Sequence, residues 1–256
     1  MTMPLASLSR RLKAGEHLVL GWSSYAEPTI PEAMLRMGYD AALIDMQHGA
    51  WTYEAALAAI SAANAAGKPL LVRVPVGEFA LGSRLLDAGA AGVVAPMINS
   101  LADASAFADF CKFPPLGERS WGPMRALLST GLPAQDYLSQ ANGLQLALAM
   151  IETRAALDAL DAILDHPGVD GVLVGPSDLS IALTGGTLDG EGALVDAALD
   201  RIAAACKAHG KTAAVFCLSG ARARALAARG FRLTGASYDQ GMFARGAAAE
   251  LAAARG

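Results

Sequence analysis

Hydrophobic and polar positions divide the chain into short apolar runs that alternate with longer runs rich in alanine and leucine. The short runs predict eight strands, at 17–23, 41–45, 70–74, 92–96, 145–151, 171–174, 212–217 and 233–236. Several of these runs are apolar at every position rather than at every second position. This is the pattern of parallel strands that are buried on both faces.

The longer runs predict the helices that connect these strands, at 30–37, 53–65, 78–88, 101–110, 154–164, 192–208, 220–228 and 241–253. Eight strand–helix repeats in a chain of 256 residues predict one (β/α)₈ TIM barrel domain over residues 1–256. A doubly wound sheet is the alternative, but no G-x-G-x-x-G motif opens the first strand–helix turn.

One connection, at 112–143, is much longer than the others and contains FPPLGERSWGPMRALLSTG. Long segments in compact domains are often functional. We predict that this segment is a loop that covers the active-site end of the barrel.

Four acidic residues follow predicted strands at their C-terminal ends, namely Asp45, Glu152, Asp178 and Asp239. Carboxylates are costly beside apolar strands unless something pairs with them. Their placement at the end of a barrel that carries active sites predicts oxygen ligands for a hard divalent cation. Of the four histidines, His48 is the one expected at this end, where it can transfer a proton. An ordinary loop histidine is the alternative.

Arg73 lies inside LLVRVP, an otherwise apolar strand. Because a buried guanidinium is costly without an anion, two hypotheses follow. Arg73 forms a structural ion pair with a carboxylate of the barrel, or it binds a substrate carboxylate or developing enolate oxygen. In VGPSDLS, a strand runs directly into a helix. Either Ser177 or Asp178 caps the start of that helix, or the free backbone N–H groups at the start of the helix bind an anion. No lysine ends a strand, so a Schiff-base mechanism is not expected.

The composition and charge of the chain argue against several kinds of partner and site. The chain is 54% hydrophobic, but polar residues interrupt every long apolar stretch, and we expect no membrane span. The N-terminal segment lacks the apolar core of a secretory signal, so a cytoplasmic protein is expected. A net charge of −4 without a basic run argues against nucleic-acid binding. The three cysteines lack C-x-x-C spacing and predict neither a disulfide framework nor a zinc–thiolate site.

Six segments in order carry a resemblance to a known family: IDMQHG (44–49), LVRVP (71–75), LLDAGAAGVVAPMINS (85–100), FPPLGERSWGP (113–123), MIET (150–153) and GVLVGPSDLS (171–180). Together they cover nearly the whole chain and resemble the HpcH/HpaI family of class II, metal-dependent hydroxy-ketoacid (pyruvate) aldolases. The resemblance implies a (β/α)₈ barrel whose last helix is swapped between paired subunits. It also implies a homo-oligomer, usually a hexamer built as a trimer of dimers.

The resemblance also implies the roles of particular residues. Glu152 and Asp178 would hold Mg²⁺, Mn²⁺ or Co²⁺, and Arg73 would contact the keto or enolate oxygen. His48 would act as acid and base, oriented by Asp87 or Asp45. The remaining substrate-binding residues would be Trp22, Gln47, Gly175, Pro176, Ser177 and Arg119, with Arg119 on a loop that closes over the site together with Gly117, Ser120 and Gly122.

The implied reaction is aldol cleavage of a 4-hydroxy-2-oxo acid to pyruvate, or a close 2-oxo acid, and an aldehyde. The chain departs from the family at Gln47, where glutamate is frequent, and at Met150, where glutamine is frequent. The sequence leaves the aldehyde and the preferred metal open. It also leaves three alternatives: an acyl-CoA lyase of the citrate-lyase-like barrels, a phosphate-ester isomerase, and a metal- or ligand-binding barrel without turnover.

Overall fold

A computed structural model describes residues 3–256 of the chain. Eight parallel strands form a closed barrel in chain order, with the first strand paired to both the second and the eighth. The strands are β1 (Leu18–Ser23), β2 (Ala41–Asp45), β3 (Leu70–Arg73), β4 (Gly92–Ala95), β5 (Leu146–Ile151), β6 (Gly171–Val174), β7 (Thr212–Val215) and β8 (Leu233–Tyr238). The predicted TIM barrel is therefore confirmed.

Helices surround the barrel and connect its strands. They are α1 (Pro4–Lys13), α2 (Thr29–Arg36), α3 (Tyr53–Ala65), α4 (Phe79–Asp87), α5 (Leu101–Cys111), α6 (Met124–Thr130), α7 (Ala134–Leu144), α8 (Arg154–Asp158), α9 (Leu160–Asp165), α10 (Pro176–Thr184), α11 (Ala193–Ala208), α12 (Gly220–Ala228) and α13 (Asp239–Arg255). The single helix predicted at 154–164 is two short helices that meet at Ala159.

Hydroxyl side chains fix the starts of several barrel helices. Thr52, Ser100, Thr153 and Ser219 precede α3, α5, α8 and α12, and each accepts a hydrogen bond from a backbone N–H in the first turn. Such N-caps satisfy donors that the helix itself leaves unpaired. They therefore define where each strand–helix loop ends, at the rim of the barrel that carries the cavity described below.

The core has two parts. One lies between the strands and the surrounding helices, and the other fills the barrel interior with alternate strand residues such as Leu43, Leu71 and Leu148. The interior cluster continues into Leu5 and Leu8 of α1, which close the N-terminal end of the barrel. Every residue of β2 to β6 is buried, as expected for parallel strands covered on both faces.

The long segment at 112–143 does not cover the active-site end, and that prediction is wrong. The segment follows α5 and precedes β5, so it connects a helix to a strand. Such connections lie at the N-terminal end of barrel strands, opposite the usual active site. It contains α6 and α7, and both of these helices contact α1 at that end.

The last helix, α13, is largely solvent-exposed. Asp239 at its start is its one buried residue, and its most extensive contacts within the chain are with β1 and β8. Within residues 3–256, no helix has both the length and the apolar character needed to cross a bilayer.

Candidate active site

A cavity of about 280 Å³ opens at the C-terminal ends of the strands. Nearly every strand contributes to it, and most of the predicted site residues meet there. Those that line it are Trp22, Asp45, His48, Arg73, Glu152, Gly175, Pro176, Ser177 and Asp178. The barrel topology therefore gathers side chains that are far apart in sequence at one opening.

Asp45 and Arg73 form a buried, bidentate ion pair at the base of this cavity. Strand register places the two residues opposite each other at the ends of β2 and β3. Arg73 Nε donates to Asp45 Oδ1 at 2.9 Å, and Nη2 donates to Oδ2 at 2.6 Å. Burial works to raise the pKa of Asp45, but the hydrogen bonds and charge of Arg73, with two backbone N–H groups, lower it. Asp45 is therefore a fixed anion.

Arg73 still faces the cavity while it holds Asp45. Its Nη1 lies 3.8 Å from Met150 Sδ, a weak acceptor, and its guanidinium lies 4.9 Å from the centre of the Trp22 ring. Trp22 Nε1 also donates to Asp45 at 3.4 Å. The two hypotheses for Arg73 are thus compatible, because the ion pair leaves Nη1 available to a bound oxygen.

The turn after β2 is organised by Asp45. Its Oδ1 accepts the backbone N–H groups of Gln47 at 3.0 Å and His48 at 3.2 Å. Asp45 therefore orients the backbone of His48 rather than its ring, and the exposed imidazole lines the cavity. Gln47 does not line the cavity, and its Oε1 is buried without a hydrogen-bond partner in the described chain.

Glu152 is held in place from two sides. Its Oε2 accepts the backbone N–H of Met97 at 3.1 Å, and Met97 adopts the left-handed φ of 57° that brings this N–H to the carboxylate. On the other side, a Cβ on Gly175 would lie only 2.6 Å from Glu152 Oε1. Only glycine permits such a close approach of the backbone to the carboxylate.

Glu152 and Asp178 together suit a divalent cation. Burial raises the pKa of Glu152, and the nearby charge of Asp178 raises it further. Over residues 3–256, neither carboxylate takes part in a salt bridge. The charge of Arg73 works to lower the pKa of Glu152, but no side-chain cation among these residues is bound to either carboxylate. No group of three or more metal-ligating side chains occurs in that part of the chain, so other ligands would have to come from substrate and water.

The helix α10 begins at the wall of the cavity. Gly175 is its N-cap residue, Pro176 follows, and no side chain caps the helix. Neither Ser177 nor Asp178 is therefore the cap that the sequence pattern allowed. In the described chain, the backbone N–H groups of these two residues have no backbone or side-chain acceptor, and they lie where the helix dipole attracts an anion.

Asp239, the fourth acidic residue that follows a predicted strand, has a structural role. Its Oδ2 accepts from Ser23 Oγ at 2.9 Å, from the Ser24 N–H at 2.8 Å and from the Tyr25 N–H at 2.9 Å. These bonds tie the start of α13 to the loop after β1. Asp239 therefore supports the rim of the cavity rather than joining the pair of carboxylates.

Two predicted site residues lie at the opposite end of the barrel. Asp87 ends α4 and accepts a hydrogen bond from Arg119 Nη2 at 2.6 Å. Arg119 also donates to Oε1 of Gln145, which directly precedes β5, at 3.0 Å. Because Asp87 ends a helix and Arg119 follows one, both lie away from the cavity of their own chain, so within one chain Asp87 does not orient His48 and Arg119 does not close over the cavity.

Several lining residues were not among the predicted site residues, namely Ser24, Phe216, Leu218, Tyr238 and Gln240. All of them lie at or just beyond the ends of β1, β7 and β8. The rule that selected Asp45 and Glu152 also covers these positions. Their side chains are all uncharged, so the cost of burying a charge, which singles out Asp45 and Glu152 in the sequence, does not distinguish them.

An eight-stranded parallel barrel with an acidic cavity at the C-terminal ends of its strands is the architecture of a TIM-barrel enzyme. The chain belongs to the HpcH/HpaI aldolase/citrate lyase family, which it matches over residues 18–246. The matched residues include both carboxylates, His48 and Arg73.

Individual relatives agree with this assignment. The chain is 38% identical to a hydroxypyruvate/pyruvate aldolase of Rhizorhabdus wittichii over 94% of the chain and 95% of the relative. It is 33% identical to a 2-keto-3-deoxy-L-rhamnonate aldolase of Shigella sonnei over 78% of the chain and 76% of the relative. The crystal structure of an HpcH/HpaI aldolase from Desulfitobacterium hafniense superposes with a TM-score of 0.89, at 28% identity over 97% of the chain and 96% of that structure.

Proposed function

We propose that the protein is a class II aldolase that cleaves and forms 4-hydroxy-2-oxo acids. The products of cleavage are pyruvate, or a closely related 2-oxo acid, and an aldehyde. One observation carries the proposal: two carboxylates without a cation partner, a cavity-facing arginine and a histidine share one opening, in a chain whose relatives include pyruvate aldolases.

Glu152 and Asp178 are the residues that would hold Mg²⁺, Mn²⁺ or Co²⁺. Glu152 directly follows β5, and Asp178 lies in the first turn of α10 after the neighbouring strand β6. Oxygen donors of this kind suit all three ions. When bound, a divalent cation polarises the C2 carbonyl of the substrate and stabilises negative charge on its oxygen. Met97 and Gly175 fix Glu152 for this task, because they restrict its carboxylate from both sides.

The other polar groups bind the 2-oxo acid. The free N–H groups of Ser177 and Asp178 at the start of α10 donate hydrogen bonds to its carboxylate, since a helix N-terminus favours an anion. Arg73 directs Nη1 toward the oxygen on which charge develops. Asp45 keeps the guanidinium in this orientation through its two hydrogen bonds, and Trp22 packs against it.

His48 transfers the proton. In cleavage, its imidazole takes the proton of the C4 hydroxyl while the C3–C4 bond breaks, which releases the aldehyde and leaves an enolate. The same group returns a proton to C3 and completes pyruvate. Asp45 places His48 at the rim by holding its backbone N–H.

We further propose that α13 is exchanged between paired subunits and that the pairs assemble into a hexamer. The helix buries only Asp239 in its own chain, and Phe243 is 70% exposed. Phe243 and Met37 line an apolar groove of about 790 Å³ between α2 and α13. Light scattering after size exclusion measures the assembly, and Phe243→Asp should reduce its mass.

Hydrogen exchange at C3 of pyruvate tests the aldolase proposal without knowledge of the aldehyde. In D₂O, the protein with Mg²⁺, Mn²⁺ or Co²⁺ should exchange the methyl protons of pyruvate, as followed by NMR. Chelator should stop the exchange. No exchange with any of the three ions would contradict enolate formation and leave acyl-CoA lyase or ligand binding as the alternatives.

A further inference from the structure

A second cavity of about 450 Å³ adjoins the catalytic cavity. Both are lined by Pro176 and Ser177 at the start of α10 and by Phe216 and Leu218 after β7. The outer wall of the second cavity is the connection at 188–191 between α10 and α11, together with α12. A ligand too long for the catalytic cavity can therefore extend past Phe216 and Leu218 into the second one.

The second cavity is fixed to the catalytic helix. A Cβ on Gly190 would lie 3.3 Å from Pro176 Cβ, so the connection at 188–191 touches the start of α10. The Asp189 N–H donates to Ser180 Oγ at 3.0 Å, and that hydroxyl donates to the Ser177 carbonyl at 2.6 Å. The cavity is thus preformed beside Asp178, as ligand sites usually are.

Part of the wall is exposed and apolar. Leu188 is 69% exposed and Leu218 is 54% exposed, and they flank the same opening. Neighbouring exposed aliphatic side chains at the rim of a pocket are typical of ligand sites, because a carbon chain laid on them removes apolar surface from water.

The charged residues that line the second cavity carry a net negative charge. The guanidinium of Arg222 is already bound by Asp196 of α11. Hydrogen bonding by Arg222 is the main reason that the pKa of Asp196 is lowered, so this pair persists as ions. Among the ion pairs of residues 3–256, none involves Asp189 or Glu191. Both side chains are exposed, and Asp189 Oδ1 accepts the Glu191 N–H at 3.4 Å. Their carboxylates give the cavity a negative rim that no ion pair in the described chain neutralises, and their other oxygens are acceptors for hydroxyl groups.

We propose that this second cavity is the subsite for the aldehyde portion of the substrate, and that it selects an uncharged, hydroxylated chain. Carbon atoms lie against Leu188 and Leu218, while hydroxyl groups donate to Asp189 and Glu191. An aldehyde that ends in a carboxylate meets repulsion instead. This inference rests on the proposed aldolase function and adds a substrate class to it.

The test measures kcat/KM for addition of pyruvate to three aldehydes, with the metal-loaded protein. Glycolaldehyde is too short to reach the subsite, erythrose is an uncharged polyol, and succinic semialdehyde carries a carboxylate. Leu188→Trp fills the subsite from its outer wall. It should lower kcat/KM for erythrose about ten-fold and leave glycolaldehyde within about two-fold. Leu194→Trp is the matched control, because Leu194 is a similarly exposed leucine outside both cavities and should change neither value.

A second pair of variants tests the charge. Asp189→Asn and Glu191→Gln keep the shape of the wall and remove its negative charge. Each should raise kcat/KM for succinic semialdehyde by about three-fold to ten-fold, while the value for glycolaldehyde stays the same.

The outcomes separate the two proposals. If wild-type protein adds pyruvate to no aldehyde, including glycolaldehyde, the aldolase function fails and the subsite fails with it. If glycolaldehyde reacts but Leu188→Trp leaves erythrose unchanged, or slows all three aldehydes equally, the subsite is wrong and the aldolase function stands. A change in oligomeric mass of Leu188→Trp would also overturn the subsite, because another copy of the chain would then cover the cavity.

Discussion

Arg73 donates hydrogen bonds to both carboxylate oxygens of Asp45, at 2.9 Å and 2.6 Å, from the adjacent strand of the barrel. The side chains of Arg73 and Asp45 are 7% and 2% exposed, so water solvates neither charge well, and each charge would be costly without its partner. The pair makes Asp45 a structural support and leaves one face of Arg73 to the cavity.

Removal of one member of this pair should destabilise the protein. Asp45→Ala leaves the Arg73 charge buried without its partner, and we expect the free energy of unfolding to fall by about 3 kcal/mol. Urea denaturation followed by circular dichroism measures this change. The double variant Asp45→Asn, Arg73→Met removes both charges and should therefore recover part of the lost stability. A double variant less stable than either Asp45→Asn or Arg73→Met alone would contradict the ion-pair account.

The same pair predicts a pH dependence of stability. Because the folded-state pKa of Asp45 is lowered, its contribution is complete above the ordinary carboxyl value, about 4, and is lost as pH falls through the lowered pKa. The difference in unfolding free energy between wild type and Asp45→Asn should therefore be constant near neutral pH and shrink on acidification below about pH 4. A difference that does not shrink would show that Arg73 does not lower the pKa of Asp45.

Loss of either Glu152 or Asp178 as an anion should greatly weaken metal binding. Glu152→Gln and Asp178→Asn keep the size and polarity of the side chain but remove its negative charge. Affinity for Mn²⁺ should fall by about 100-fold or more, because mutation of residues that merely hydrogen-bond to metal ligands already costs about 10- to 100-fold in affinity. Isothermal titration calorimetry measures the affinity. Asp136→Asn, at an exposed position of α7 at the other end of the barrel, is the control and should bind Mn²⁺ like wild type. Unchanged binding in Glu152→Gln would place the metal elsewhere.

The backbone next to Glu152 should be as sensitive as the carboxylate itself. In Gly175→Ala, the new methyl group lies 2.6 Å from Glu152 Oε1 and must displace it. We expect Mn²⁺ affinity to fall about 10-fold to 100-fold while the barrel remains folded. Gly246→Ala on α13 has no atom within 4 Å of the new Cβ and serves as the control. Wild-type affinity in Gly175→Ala would mean that the position of Glu152 is not critical for the metal.

His48 should matter for turnover and not for metal binding. His48→Asn keeps the backbone N–H that Asp45 accepts but removes the base, and kcat should fall by about 10²- to 10⁴-fold. Mn²⁺ affinity should stay at the wild-type value, which separates proton transfer from assembly of the site. An unchanged kcat would assign proton transfer to another group.

The sequence predicted the barrel and much of its cavity for a clear reason. Strands buried on both faces are recognisable as apolar runs, and a polar residue at the C-terminal end of such a run lies near the opening, where Asp45, Glu152 and Asp178 line the cavity and Asp239 supports its rim. Asp45, Glu152 and Asp178 satisfy both conditions, and the structure places all three at one cavity.

The remaining errors concern position around the barrel rather than residue type. Asp87 and Arg119 are charged and belong to the family-like segments, but Asp87 ends a helix and Arg119 follows one, so both lie at the N-terminal end of the barrel. The segment at 112–143 was assigned to the wrong end because α5 already completes the crossover from β4 before that segment begins. The Asp45–Arg73 pair also needed the strand register, which apolar patterning does not reveal.

Pyruvate release from a racemic 4-hydroxy-2-oxo acid is the most direct test of the central claim, with lactate dehydrogenase as the coupling enzyme. The protein treated with chelator should release no pyruvate, and addition of Mg²⁺, Mn²⁺ or Co²⁺ should restore release in wild type but not in Glu152→Gln. Release that persists in chelator and in Glu152→Gln would contradict the metal-dependent aldolase. Absence of pyruvate with every metal and every chain length tried would contradict aldol cleavage itself.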